Sequence, residues 1–101
     1  MRTPLPVLLL SAAALAQSQP APTFAPPVRV MAGDKMLGQG RLYPSPVLHD
    51  VNGDGLPDIV VGDLPGRLTF ALRKPGTGAP VFAAEQDMLG ADGKQIDFAN
   101  W

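Results

Sequence analysis

Four oxygen-bearing side chains fall within the nine residues Asp50-Val51-Asn52-Gly53-Asp54-Gly55-Leu56-Pro57-Asp58. Asp50, Asn52 and Asp54 stand at alternate positions, a spacing that can turn their oxygens toward one centre. Calcium asks for six to eight hard oxygen ligands at about 2.3–2.6 Å, supplied by a tightly wrapped loop. Gly53 and Gly55 allow such a curl without a Cβ clash. The carbonyl of Leu56 is a fourth candidate ligand, Pro57 stiffens the corner, and Asp58 closes the ring at the ninth position. Three carboxylates this close repel one another unless a cation lies among them. A plain surface turn is the competing reading, since Asp, Asn and Gly are common in turns. A turn needs one or two such residues, and here every ligand position is filled.

The loop opens like that of an EF-hand, D-x-N-x-D-G. That motif requires a bidentate acid at its twelfth position, where this chain has Val61 inside its most apolar β-branched run. The EF-hand assignment therefore fails on one residue.

The elements that must carry the loop are strands. Asp58–Gly62 (DIVVG) places three β-branched residues in a row, and Arg67–Leu72 (RLTFAL) alternates like a half-buried strand. Between them Asp63–Arg67 (DLPGR) reads as a hairpin turn, with Pro65 at its second position and Gly66 supplying a positive φ at its third. Val28–Met31 and Pro80–Ala84 are expected as further strands. Pro44 and Pro46 restrict Leu42–Tyr43 and Pro46–His49 to short or edge pieces. With 11 glycines and 12 prolines and no sustained helical period after the first residues, the chain is expected to be all-β, short antiparallel strands forming one blade, or a partial second, of a β-propeller-like sheet.

The remaining composition bounds the class. The chain has 101 residues, a net charge of −1 and no cysteine. One small domain fits, without disulfides or thiolate metal sites, and no basic stretch invites nucleic acid. Arg73-Lys74 reads as a solvated loop pair. Residues 1–16 have the form of a signal peptide: Arg2, the apolar LPVLLLSAAAL, and a small-x-small Ala14-Leu15-Ala16. That run is too short to cross a core of about 30 Å, and no cysteine follows it to make a lipoprotein. Residues 17–27 (QSQPAPTFAPP) form a Pro-rich linker, and 28–101 the β unit. The expected location is secreted, periplasmic or cell-surface. So few strands leave two open edges and little apolar surface. The chain is therefore expected to be part of a longer protein or to dock onto other units, and Asp97–Trp101 reads as the approach to a further strand.

The stretch DVNGDGLPDIVVGDLPGRLTFAL, followed by PGTGAPVFA, resembles the FG-GAP (VCBS-type) repeat, the blade unit of integrin-α-like β-propellers. The resemblance covers about Ser45 to Ala84. It implies Ca²⁺ held by Asp50, Asn52, Asp54, Asp58 and the Leu56 carbonyl, with DLPGR as the family's hairpin. It also implies a structural ion and a role in adhesion or ligand binding, the partner being an extracellular protein or carbohydrate. One such loop is present, and Gly78-Ala79-Pro80 matches only the second half of the family's Phe-Gly/Gly-Ala-Pro signature.

Other constellations carry less. His49 is the sole histidine and has no partner for a zinc site. Ser18 and Ser45 lie outside any G-x-S-x-G context. Asp54 and Asp58 share one loop with no cleft for a glycosidase. Asp87, Asp92 and Asp97 fall in a turn-rich tail and read as solvated; Phe98 and Trp101 read as core. The chain itself is expected not to be an enzyme. The alternative is the N-terminal part of a longer exported hydrolase or oxidoreductase bearing propeller repeats.

Overall fold

The computed structural model describes residues 1–5 and 18–99. The expected cleavage site and Trp101 lie outside them. Among the described residues the chain is all-β, with two antiparallel sheets of short strands and no helix. It therefore has no helix long and apolar enough to cross a membrane there.

β1 (Met31–Ala32) and β2 (Lys35–Met36) form a two-stranded hairpin. β3 (Ser45–His49), β4 (Asp58–Gly62), β5 (Leu68–Ala71) and β6 (Gln86–Asp87) pair in sequence order, each antiparallel to the last, as a four-stranded meander. The Asp50–Asp58 loop joins β3 to β4, and its two ends are held by the pairing of His49 with Asp58.

β4 is interior because its β-branched run can be buried on both flanks. Ile59 sits opposite Leu48 and Ala71, and Val61 opposite Pro46 and Thr69. The core consists of Ala32, Ile59, Val61, Ala71 and Phe82, with Leu37 packed against it. Val61 is 1% exposed, a burial that contributes about 1.5–3 kcal/mol. β3 is exposed along its whole length. As an edge strand it tolerates Pro46, whose missing N–H need not interrupt a ladder on both sides.

Several elements differ from expectation. The first strand begins at Met31 rather than Val28, although Val30 still accepts a backbone bond from Leu37 at 2.9 Å. Leu42–Tyr43 is no strand: Tyr43 has φ 49°, a left-handed conformation that breaks an extended run. Pro80–Ala84 is reduced to isolated bridges from Phe82 to Ala32 and Arg73. Within β5 the fully buried side chains are Thr69 and Ala71, while Leu68 and Phe70 are half-buried. Ala71 belongs to the core with Ala32 and Phe82, and Thr69 is buried against Arg41 and Glu85.

The DLPGR hairpin forms one residue earlier than its proline suggests. Gly66 donates to the Asp63 carbonyl at 3.0 Å, and the Asp63 carboxylate also takes the N–H groups of Gly66 and Arg67 at 3.1 and 2.9 Å. An aspartate that gathers both amides starts the turn at itself. Gly66 has φ 100°, and a Cβ there would stand 3.0 Å from Ala99 N.

Candidate metal loop and the Arg41 clamp

The Asp50–Asp58 loop wraps its backbone around its first carboxylate. Asp50 Oδ1 accepts from Gly53 N at 2.8 Å and Asp54 N at 3.2 Å, and Oδ2 accepts from Gly55 N at 2.8 Å. Such a curl requires φ of 74° at Gly53 and 83° at Gly55, which glycine adopts without penalty. Asn52 Oδ1 accepts from Asp54 N, and its Nδ2 donates to Asp54 Oδ2, both at 3.2 Å. Asp54 Oδ1 takes the Leu56 N–H at 2.8 Å. Asn52 and Asp54 are exposed, while Asp50 and Leu56 are half-buried.

Asp58 differs from the rest of the loop. Its residue is 0% exposed. Oδ2 accepts from Val51 N at 2.8 Å, and Oδ1 from Arg73 N, just beyond β5, at 2.7 Å. Among the described residues no cationic side chain lies within ion-pair distance of it.

The donor set of three carboxylates, one amide oxygen and one backbone carbonyl has the hard, all-oxygen chemistry that Ca²⁺ selects. Among the described residues, however, no three Asp, Glu or His side chains converge as a metal cluster. Their oxygens take amides instead, those of the loop and, for Asp58 Oδ1, that of Arg73. The structure thus brings the five sequence-predicted residues into one curled loop without gathering their oxygens at one point. His49 stands exposed at the end of β3, opposite Asp58 in register.

A second polar cluster has no counterpart in the sequence reading. Arg41 donates Nε to Asp63 Oδ2 at 3.0 Å and Nη1 to Glu85 Oε1 at 2.8 Å, and Nη1 also donates to Thr69 Oγ1. Its Nη2 reaches the carbonyls of Val61 and Arg67 at 3.3 and 2.8 Å. Glu85 Oε2 takes the Gly38 N–H at 2.9 Å, and Thr69 donates its hydroxyl to Glu85 Oε1. The Arg41 and Asp63 side chains are 9% and 4% exposed. These contacts tie the segment after β2, the β4–β5 hairpin, β5 and the approach to β6 into one clamp.

Burial alone would raise the Asp63 carboxyl. The Arg67 N–H, the Arg41 guanidinium and the Gly66 N–H outweigh it and hold Asp63 below the ordinary carboxylate range. For Glu85, burial likewise opposes ionisation, and the Thr69 hydroxyl, the Gly38 N–H and Arg41 together bring it below its usual value. No spacing rule joins residues 41, 63, 69 and 85. Arg41 follows Gly38-Gln39-Gly40, and no local pattern marks it as buried.

The tail aspartates behave largely as expected. Asp87, Asp92 and Asp97 are exposed, Asp92 and Asp97 taking nearby backbone N–H groups and Asp87 the Gln95 amide. Phe98, expected in the core, is 66% exposed. The chain matches no protein-family model, no curated protein and no solved structure.

Proposed function

We propose that this chain is an exported calcium-binding β module of the FG-GAP (VCBS-type) kind, serving adhesion or ligand binding at the cell surface. The ion has a structural role and orders the crossing from β3 to β4. Asp50, Asn52, Asp54 and the Leu56 carbonyl would hold it. Asp58 would complete the set through lone pairs that its two amide bonds leave free. The ion supplies the positive charge that three neighbouring carboxylates otherwise lack.

One observation carries this reading: Asp58 is fully buried at the end of an oxygen-rich loop, with backbone amides but, among the described residues, no side-chain cation beside it. Buried carboxylates are normally paired with a cation or bound to a metal. The four-stranded meander, with an open β3 edge bearing Val47 and Leu48 at 60% and 64% exposure, supports a unit that packs beside others.

Calorimetric titration of the full chain with Ca²⁺, followed in parallel by circular dichroism, tests the proposal. One-site binding that sharpens the β spectrum and disappears in Asp54→Ala is the expected result. A flat titration of an already folded chain would leave the loop a turn and remove the calcium role.

A further inference from the structure

Asn52 is followed by Gly53, and Asp54 by Gly55. In such pairs the glycine nitrogen can attack the side-chain carbonyl carbon of the residue before it, because no Cβ crowds its approach. At Asn52 the new bond joins Gly53 N to Asn52 Cγ. The amide proton goes to solvent, the Cγ–Nδ2 bond breaks, and ammonia leaves. Water then opens the cyclic imide at either carbonyl, giving aspartate or, with the backbone rerouted through the side chain, isoaspartate. Attack of Gly55 N on Asp54 follows the same course with water as the leaving group.

The loop presents both pairs to solvent. Residues 52–55 are exposed, and a Cβ placed at Gly53 or Gly55 would meet nothing within 4 Å. What the fold withholds is the nucleophile. Asp50 Oδ1 accepts the Gly53 N–H and Oδ2 the Gly55 N–H, each at 2.8 Å. The nitrogen attacks only after losing its proton. A carboxylate that holds this proton occupies the group and opposes negative charge on the nitrogen. Asn52 is tied as well, accepting from Asp54 N and donating to Asp54 Oδ2, both at 3.2 Å. A third pair, Asp92-Gly93, is held differently: Gly93 N donates to the Gly90 carbonyl at 3.0 Å.

We propose that Asn52 is a hydrolytic modification site held in check by Asp50, at which the protein ages by conversion of the amide to aspartate and isoaspartate. Isoaspartate lengthens the backbone by one methylene before Gly53. That shift moves the Gly53 and Gly55 amides off the two oxygens of Asp50, so modification at Asn52 opens the second site at Asp54. No ion enters this chemistry, which is independent of the calcium reading.

Peptide-mapping mass spectrometry of the full chain, aged in mildly alkaline buffer with a chelator, tests it, with the urea-unfolded chain as reference. A hydrogen bond to a charged acceptor is strong enough to slow attack by Gly53 about tenfold to a hundredfold. The expected result is that much slower conversion of Asn52 in the folded native chain. Asp50→Ala, shown to be folded by circular dichroism, should recover most of the lost rate, while Asp92 isomerises equally in both folded chains. Native conversion as fast as in urea overturns the proposal, as does a folded Asp50→Ala that stays as slow as the native chain. Equal acceleration at Asp92 also overturns it, since general loosening would then explain the change. Should Asp50→Ala fail to fold, hydrogen exchange of the Gly53 and Gly55 amides in the native chain decides. Exchange about tenfold or more slower than in the unfolded chain supports the hold by Asp50, and exchange at the unfolded rate overturns it.

Discussion

Asp63 and Glu85 meet a guanidinium, whereas among the described residues Asp50, Asp54 and Asp58 meet only amides. Both clusters lie at the ends of the same central strands, and both stabilise carboxylates by hydrogen bonds. In the Arg41 clamp the chain supplies its own cation and directs it at five acceptors. In the loop the chain supplies donors and carboxylates alone. The first cluster is complete as folded, and the second is the one whose charge balance can depend on the medium.

The largest effect should come from breaking the complete cluster. Arg41→Leu leaves Glu85 and Asp63 without their cation beneath the hairpin. Stranding a buried charge costs about 3–5 kcal/mol. Glu85 remains 19% exposed, so a value near the lower end, about 3 kcal/mol, is expected in urea denaturation. A loss under about 1 kcal/mol would mean the clamp contributes no more than an ordinary surface pair.

Calcium should produce an effect of similar size on the other cluster. On the calcium reading proposed above, the ion at a hundred to a thousand times its dissociation constant should stabilise the native chain by about 3–4 kcal/mol. Chelation should remove that gain, and Asp54→Ala should not show it. The same chelator should leave the cost of Arg41→Leu unchanged. Cross-dependence of the two would erase the distinction between a self-neutralised and an externally neutralised cluster.

Acid should separate them further. Asp63 and Glu85 have folded values below their unfolded ones, so their contribution is fully present above the unfolded carboxylate range of about 4. It is lost as pH falls through the lower folded values. Thermal midpoints measured without Ca²⁺ should therefore hold steady from neutral pH to about 5 and then drop. Glu85→Gln should flatten part of that drop. A midpoint that instead rises on acidification would contradict the ionised clamp.

Legibility in the sequence followed the range of the forces involved. β4 and β5 could be read because DIVVG and RLTFAL are local patterns, as was the curl of DVNGDGLPD, whose glycines and Asx side chains act within a few residues. The turn begins one residue before the position Pro65 suggests because the Asp63 carboxylate captures two amides. Tyr43 and the Pro80–Ala84 segment differ from their local pattern because their geometry depends on partners distant in sequence. β6 went unrecognised since Gln86 and Asp87 have no strand character and pair only because β5 offers an edge. Nothing local distinguishes Arg41 from an exposed arginine until the hairpin and Glu85 arrive around it.

Arg67 provides the smallest test and sharpens the largest. Its Nη2 stands 3.7 Å from Asp87 Oδ1, with the two side chains 47% and 52% exposed. Its carbonyl accepts from Arg41 and its N–H donates to Asp63, but those are backbone groups that a side-chain substitution leaves in place. Arg67→Gln should therefore cost no more than about 0.5 kcal/mol, as exposed pairs do. The two arginines sit within one hydrogen bond of each other, so the same denaturation series compares them at nearly constant location. If Arg67→Gln costs as much as Arg41→Leu, nearness to the hairpin rather than burial of the charge sets the energy. A large gap between them assigns the stability to desolvated pairing with Asp63 and Glu85.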